Sequence, residues 1–175
     1  ACMHNLAPTS STTAQMVMGD LMAITCMELR GFKSTDFAKF HPGGNLGKKL
    51  TLTTGAIAKQ NTQPSVQPTT SIKEVIIAIS KSRMGATVVL DDAGNIVGII
   101  TDGDIRRMLE QHNSIQELKA ADIFHKQPIT ISSDKLAIEA FDLMKAHDIS
   151  QLIVADQGQY KGMIHIHDLM KEGIL

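Results

Sequence analysis

The sequence is poor in aromatic residues and carries almost no net charge. Its 175 residues include no tryptophan and one tyrosine, and aromatic residues make up only 3% of the chain. Proteins that bind single-stranded nucleic acids stack the bases on aromatic side chains along a basic groove. The formal net charge of -1 provides no basic field either, so we expect no nucleic-acid partner.

Cysteines and long apolar runs are scarce as well. The two cysteines, Cys2 and Cys26, do not form a CxxC motif, and no Cys/His cluster has the spacing of a zinc site. Such sparse cysteine use is typical of the reducing cytosol. No apolar stretch of the sequence approaches the ~20 residues that a membrane span requires, and the first residues lack the features of a signal peptide. The composition therefore predicts a cytoplasmic protein without a membrane segment or a structural metal.

What the sequence does contain is an internal repeat. Without any gap, residues recur 64 positions later in the chain. This period is longer than the ~20–50 residues of most solenoid repeats, and there are only two copies, so we predict two paired modules. The recurring residues are Gln63-Pro64 with Gln127-Pro128, Lys81 with Lys145, Asp92 with Asp156, Gly94 with Gly158, Gly98 with Gly162, Ile100 with Ile164 and Asp104 with Asp168.

Each copy predicts the element order β-α-β-β-α. In the first copy, Ser71 and Glu74 form an S-x-x-E capping box ahead of a helix with an apolar face. Two β-rich runs, 87–90 and 96–100, flank an Asp/Gly/Asn turn as in a hairpin, and a helix over residues 102–110 follows. The second copy predicts strands at 151–155 and 160–165, a first helix carrying Leu136, Ala140 and Leu143, and a last helix that begins near His167-Asp168.

The segment that leads into the last helix of the first copy is distinctive. It consists of Gly98-Ile99-Ile100-Thr101-Asp102-Gly103-Asp104. Together with the element order, this segment resembles the CBS module, and the resemblance covers residues 57–175. It implies tandem modules that pair face to face, with clefts that bind adenosine nucleotides or related ligands. The expected fold class is α/β (α+β), a tandem CBS pair of β-α-β-β-α modules.

Thr101 and Asp104 are the candidate ligand-binding residues of the first copy. Thr101 stands where a strand ends and a helix begins, where backbone N–H groups favour an anion, and its hydroxyl can donate to a phosphate oxygen. Asp104 can accept hydrogen bonds from a ribose diol, and the CBS resemblance implies both roles. The same Thr-x-x-Asp spacing also forms a helix cap, so both interpretations stay open. Arg106 is a further candidate for anion contact, with a solvated surface arginine as the alternative.

The second copy keeps Asp168 but has His165 at the threonine position. His165 and His167 are two residues apart at a strand end, so they are expected to share a face. A protonated His165 can bind a phosphate or a carboxylate, whereas a metal would need a third ligand that the sequence does not provide. We therefore predict ligand binding by His165 and Asp168, two sites that differ in ligand or occupancy, and no metal.

Residues 1–50 differ in character from the repeat. A hydroxyl-rich loop is expected to open a long helix that ends at Gly31. Within the loop, Thr9, Ser10 and Ser11 are candidate phosphate ligands, although helix capping explains these residues equally well. The apolar residues expected on the buried side of the helix are Met18, Leu21, Met22 and Leu29.

The order of motifs along the whole chain is similar to the arabinose-5-phosphate isomerase family. The motifs are LAPTSSTTA at 6–14, HPGGNLGKKL at 41–50, TDGDIRR at 101–107 and HIHDL at 165–169. The resemblance implies a sugar-isomerase (SIS) domain ahead of the CBS pair, and the chain enters at Ala1 as if in the middle of that domain. The expected domains are a C-terminal SIS helix and loop at 1–50, a first CBS module at 51–117 and a second at 118–175.

This family interconverts D-ribulose 5-phosphate and D-arabinose 5-phosphate for synthesis of 3-deoxy-D-manno-octulosonate (Kdo) and lipopolysaccharide. The proton transfer through an enediol needs an acid and a base, and no cofactor is required. The histidine of the HPGG motif maps onto His41, a candidate for ring opening or proton transfer, with a loop histidine satisfied by hydrogen bonds as the alternative. The resemblance further implies a homodimer or tetramer that acts on a sugar phosphate.

The expected effector of the CBS pair is a nucleotide or nucleotide sugar, and a cytidine-linked Kdo sugar (CMP-Kdo) is the sharper expectation. Because most of the isomerase site is absent, the chain by itself is expected to be inactive. A stand-alone CBS nucleotide sensor or an oligomerisation scaffold is the alternative from a different class. The HPGG loop argues against that alternative, since a free-standing sensor has no use for it.

Overall fold

The computed structural model describes residues 7–40, 44–112 and 114–175, without the side chain of Thr35. The chain divides into two compact units, Ala1–Pro42 and Gly43–Leu175. The second unit holds both copies of the repeat. Within the described ranges, no helix combines the length and the hydropathy that crossing a bilayer requires.

The first unit contains the helices α1 (Thr9–Leu29) and α2 (Ser34–Phe40). Gly31, with a φ of +58°, follows the end of α1, as predicted. The predicted hydroxyl-rich loop is wrong, because Thr9, Ser10 and Ser11 form the first turn of α1 instead. Short hydroxyl side chains suit this place, since they can bond to backbone groups near a helix start.

The predicted buried side of α1 is also wrong. No residue of α1 is buried, and Met18, Leu21, Met22 and Leu29 are between 56% and 82% exposed. Apolar residues occur all around the helix, including three in succession at 16–18, rather than on one stripe. Such a helix needs cover on several sides, and among the described residues its large apolar side chains are exposed.

The second unit begins with two short helices ahead of the first module. They are α3 (Asn45–Thr51) and α4 (Thr54–Ala58). The hydroxyl of Thr53 accepts a hydrogen bond from the backbone N–H of Ala56 and so caps α4. Thr54 is fully buried, and its hydroxyl donates to the carbonyl oxygen of Ser132 at 2.7 Å. This bond ties α4 to the second module rather than to the first.

The first module has the predicted order β-α-β-β-α. Its elements are β1 (Ser65–Val66), α5 (Ile72–Ser82), β2 (Ala86–Leu90), β3 (Ile96–Thr101) and α6 (Asp102–Gln111). Strand β2 is central in the sheet, parallel to β1 and antiparallel to β3. The capping box of Ser71 and Glu74 ahead of α5 is confirmed, because both reciprocal hydrogen bonds are present.

The second module repeats this order after a turn of 3-10 helix at Ala120–Asp122. Its elements are β4 (Thr130–Ile131), α7 (Ala137–Ala146), β5 (Gln151–Asp156), β6 (Gln159–His165) and α8 (Ile166–Lys171). Strand β5 is parallel to β4 and antiparallel to β6, as in the first module. Ala140 faces the core as predicted, while Leu136 stands just before α7 rather than within it.

The two modules share a core, and the segment ahead of the first strand of each module packs into the core of the other. Met84 and Val88 of the first module are buried in one cluster with Ile153 and Met163 of the second. Ala58, at the end of α4, is buried in the core of the second module, and Ala120, ahead of the second module, is buried in the core of the first. Each module is therefore completed by the segment that leads into the other.

Glycines at the same position of the two modules permit this exchange. A Cβ added to Gly98 in β3 would lie 2.6 Å from the carbonyl oxygen of His125. A Cβ added to Gly162 in β6 would lie 3.0 Å from the Cβ of Ala58, and Gly162 has a φ of +143°. Close backbone approach thus explains why the repeat keeps a glycine here.

Candidate functional site

Thr101 and Asp104 bind each other in the structure. The N–H and the hydroxyl of Thr101 donate to Asp104 Oδ2 at 2.8 and 2.7 Å, and the N–H of Asp104 donates back to Thr101 Oγ1 at 3.3 Å. The other carboxylate oxygen accepts a hydrogen bond from Arg107 and lies 2.7 Å from His125 Nε2. Thr101 and Asp104 therefore form a closed helix cap.

The carboxylate of Asp104 is ionised in this setting. It is only 4% exposed, and burial alone would raise its pKa. Hydrogen bonds from Thr101 and Arg107 and the nearby charge of His125 outweigh burial and lower the pKa of Asp104 below its usual value. Since both of its oxygens are occupied, a ribose diol could reach this carboxylate only by displacing one of these groups.

Asp168 in the second module is more open. Its Oδ2 accepts hydrogen bonds from the backbone N–H of His165 and from Asn61 Nδ2, both at 2.8 Å, and the residue is half-buried. Both of these bonds fall on the same oxygen. Asp168 is therefore better placed than Asp104 to accept a further donor from a ligand.

The partners of the two carboxylates come from the exchanged segments. Asn61 lies ahead of β1, the first strand of the first module, and contacts Asp168 of the second module. His125 lies ahead of β4, the first strand of the second module, and contacts Asp104 of the first module. Asn61 and His125 are themselves related by the offset of 64 residues. Equivalent positions of the two copies therefore supply a partner to each carboxylate, although one partner is an asparagine and the other a histidine.

The candidate site is a cleft of about 460 Å³ between the two modules. This volume is within the range of ~300–1,000 Å³ that is typical of small-molecule sites. One wall is formed by α5, by the residues after it and by the start of α6, and the other wall by the edge of the second module. The lining residues are Ile76, Ile79, Ser80, Arg83, Gly85, Asp102 and Ile105 on the first wall and Gln151, His165 and His167 on the second.

His165 and His167 share a face, as expected from their spacing. Their ring centroids are 4.7 Å apart, and Nδ1 of His165 accepts a hydrogen bond from the backbone N–H of His167 at 3.1 Å. Burial and then the charge of His167 lower the pKa of His165, while Asp168 opposes this shift. With Nδ1 as an acceptor, the neutral His165 ring presents an N–H donor at Nε2.

Of the predicted CBS site residues, only His165 lines the cleft, and Thr101, Asp104 and Asp168 are not among its lining residues. Arg106 is exposed on α6 and is not among the lining residues of the cleft, whereas its neighbour Arg107 binds Asp104. His41 lies outside the described residues. Among the described residues, no group of three or more His, Cys, Asp and Glu side chains is arranged to hold a metal ion.

Sequence reasoning missed three polar residues of the cleft, Ser80, Arg83 and Gln151. Arg83 is the C-cap of α5 and has a left-handed φ of 57°. In the sequence, Arg83 is distinguished only as the residue at which the apolar helix pattern ends. Gln151 would lie 2.7 Å from a Cβ added to Gly85, which shows how closely the two walls approach. No local pattern in the sequence indicates this approach.

Comparison with known proteins agrees with this architecture. The family model of the CBS domain matches residues 59–111 and 120–174. The chain belongs to the CBS-domain family. The CBS domain protein PAE2072 from Pyrobaculum aerophilum, solved as a complex with AMP, aligns with a TM-score of 0.61 at 26% identity and covers 67% of this chain and 90% of that one. The predicted tandem CBS fold is confirmed.

Relatives at higher identity are longer proteins that are named as arabinose 5-phosphate isomerases. Arabinose 5-phosphate isomerase KdsD from Yersinia pestis is 40% identical over 176 aligned positions, which comprise all of this chain and 54% of that enzyme. Arabinose 5-phosphate isomerase KpsF from Escherichia coli is 41% identical over 168 positions, 95% of this chain and 51% of that enzyme. The resemblance to this family is confirmed. The chain spans about half the length of these relatives and corresponds to their C-terminal part.

Proposed function

We propose that the chain is the C-terminal regulatory part of an arabinose 5-phosphate isomerase, whose CBS pair binds a nucleotide or nucleotide-sugar effector. The observation that carries this proposal is the match to such isomerases along the whole chain at 40% identity. The intact enzyme interconverts D-ribulose 5-phosphate and D-arabinose 5-phosphate for Kdo synthesis. The proton transfer needs an acid and a base near the substrate carbonyl and no required cofactor.

The surface of α1 supports the proposal that an isomerase domain precedes the CBS pair. Its apolar side chains are exposed, from 45% at Met27 to 82% at Leu29. Contiguous exposed apolar surface of this kind marks an interface. The relatives contain about as much chain again outside the match. We propose that the remainder of the isomerase domain covers α1, and that residues 1–50 are the C-terminal part of that domain.

In this proposal His41 belongs to the catalytic site of the intact enzyme, and the chain by itself is inactive. A proton shuttle needs several groups held in register, and one histidine of the HPGG motif does not provide them. The phosphate role of Thr9, Ser10 and Ser11 likewise belongs to the intact enzyme, since these residues are exposed here.

Effector binding is supported by the cleft between the modules. The cleft has a suitable volume and contains an arginine, two histidines and an amide as donors. PAE2072, with the same fold, is complexed with AMP. We propose that His165 and Asp168 contact the effector directly, and that Thr101 and Asp104 do so only after their cap opens. Arg106, being exposed on α6, would act as a peripheral anion contact.

Calorimetry on the chain with AMP, ATP and the cytidine-linked Kdo sugar tests the effector, and isomerase assays on the intact enzyme test its effect. We expect one of these ligands to bind in the micromolar range, about -8 kcal/mol, and to change turnover. Asp168→Ala should weaken binding. If none of the three ligands binds at millimolar concentration, the CBS pair is an oligomerisation scaffold instead of a sensor.

A further inference from the structure

The chain after the HPGG motif is built into the second module. Asn45, the first residue of α3, follows this motif directly in the sequence. The N–H of Ala137 donates to the carbonyl oxygen of Leu52, directly after α3, at 2.8 Å. The N–H of Thr54, at the start of α4, donates to the carbonyl oxygen of Lys135, also at 2.8 Å. These bonds attach α3 and α4 to the second module, although the first module comes next in the sequence.

Lys48 connects the HPGG motif to the end of α8. Its backbone N–H donates to the carbonyl oxygen of Gly44, the last residue of the motif, at 3.0 Å. Its side-chain ammonium binds Oε2 of Glu172 at 2.9 Å, and Glu172 is the C-cap of α8. One residue therefore holds the motif through its backbone and the second module through its side chain.

The surroundings of this ion pair hold α3 at a second place. The Lys48 and Glu172 side chains are only 39% and 25% exposed, so solvent screens their attraction less than that of a fully exposed pair. Gly173 has a φ of +73°, and a Cβ added to it would lie 2.8 Å from Oδ1 of Asn45. Residues 172 and 173 therefore lie against the first and the fourth residue of α3.

The HPGG motif depends on such contacts for its position. Two of its four residues, Gly43 and Gly44, are glycines, which have the widest range of backbone conformations and lose the most entropy when they are ordered. A segment of this composition does not define its own conformation, so the elements at its ends must do so. At the C-terminal end of the motif, that element is α3.

The first module lacks the residues for an equivalent contact. By the offset of 64, the counterparts of Glu172 and Gly173 are Met108 and Leu109, and neither can form an ion pair. The counterpart of Lys48 is His112, whose N–H donates to the carbonyl oxygen of Met108 at 3.0 Å and only ends α6. Among the described residues of the repeat, the second module alone carries this contact.

The helix that holds Lys48 also carries the candidate effector residues at its other end. His165 is the N-cap of α8, and Asp168 lies in its first turn. A helix of this length, six residues, spans about 9 Å. A ligand that contacts the start of α8 would therefore act on the same short helix that ends at Glu172.

We infer that Lys48 and Glu172 are positioning residues for the isomerase reaction, because their ion pair holds the HPGG motif, through α3, at the end of α8. Small displacements of a catalytic group are costly, since acid–base chemistry requires the reacting atoms in register. This inference rests on the proposed function, which assigns His41 of the motif to the catalytic site.

Steady-state turnover of D-ribulose 5-phosphate by the intact enzyme tests the inference. Glu172→Gln keeps the size of the side chain and removes its charge, and Lys48→Gln removes the other charge. We expect either change to lower kcat by about two- to tenfold, the factor by which one half-buried ion pair shifts an equilibrium. KM should stay near the wild-type value, because the pair acts on the catalytic group and not on substrate binding. Lys48→Glu combined with Glu172→Lys re-forms the pair and should recover most of kcat.

Lys135→Gln is the matched control. Lys135 forms an ion pair of similar length, 3.0 Å, with Glu139 on α7 of the same module, and this pair does not involve α3. Its loss should leave kcat unchanged, and thermal unfolding should show that all variants fold. An unchanged kcat in Glu172→Gln and Lys48→Gln, or a double variant as slow as the single ones, would overturn the inference while leaving the isomerase function intact.

If the intact wild-type protein does not isomerise the sugar phosphate, the proposed function fails, and amide hydrogen exchange of the 175-residue chain decides whether the pair holds the motif. The Lys48 N–H reports on its bond to Gly44. It should exchange about three- to tenfold faster in Glu172→Gln than in wild type, and at the wild-type rate in Lys135→Gln. Equal exchange in Glu172→Gln and wild type would refute the role of the ion pair.

Discussion

Replacing Asp104 with alanine removes a buried carboxylate that holds four groups together. The mutation removes the carboxylate half of the capping box ahead of α6 and leaves the N–H and hydroxyl of Thr101 without their acceptor. Arg107 and His125 lose a partner as well, but their side chains are 59% and 64% exposed, so water replaces much of each bond. We expect the free energy of unfolding to fall by about 2–4 kcal/mol in total.

Urea unfolding of Asp104→Ala and Asp168→Ala measures this difference. Asp168 is only half-buried and accepts bonds at one oxygen, so its alanine variant should lose about 1–2 kcal/mol. A loss below about 1 kcal/mol for Asp104→Ala, or a larger loss for Asp168→Ala, would refute the argument from burial and bond number.

The pH dependence of unfolding gives a second check on Asp104. Its pKa is lowered in the folded state, so its stabilising effect is present above the unfolded pKa of about 3.9. That effect is lost as the pH falls through the lower folded value. The stability of Asp104→Ala should therefore decline less than that of wild type over this acidic window.

Further predictions concern packing, protonation and catalysis. Gly98→Ala places a Cβ 2.6 Å from the carbonyl oxygen of His125, so it should lower the free energy of unfolding by about 1–3 kcal/mol. In Gly94→Ala the added Cβ has open space around it, so this control should change the free energy of unfolding only through the positive φ of residue 94. Burial lowers the pKa of His165 in the folded state. The contribution of His165 to stability is therefore complete above the unfolded pKa of about 6.5 and is lost as the pH falls through that value toward the lower folded pKa. The affinity for AMP should change in the opposite direction, rising from pH 8 to pH 6 in wild type and not in His165→Gln. In the intact enzyme, His41→Ala should lower turnover by about a hundredfold or more, and wild-type turnover would remove His41 from the site. Sedimentation should show a dimer or tetramer of the intact enzyme, and a monomer at all concentrations would contradict the proposed assembly.

The sequence alone determined the secondary structure of the repeat. The β-rich run at 151–155, the Ser71 capping box and the constant offset are local signals, and all three survive in the structure. Local signals suffice here because each element's pattern agrees with its place in the module. The same reasoning failed for α1, since an apolar helix predicts burial without saying whether the covering residues belong to this chain.

Only the tertiary structure decided how the two copies are joined. The spacing of residues is equally compatible with Asn61 binding the carboxylate of its own module or that of the other, and the fold selects Asp168. Likewise, the Thr101–Asp104 motif predicts a cap or a ligand site, and the fold places His125, from the segment ahead of β4, against the remaining carboxylate oxygen of Asp104. Arg83 and His165 meet across a cleft that neither helix nor strand pattern encodes. Hydrogen bonds and clefts between distant segments depend on the packing of whole modules, and periodicity in the chain carries no information about which of two equivalent partners is chosen.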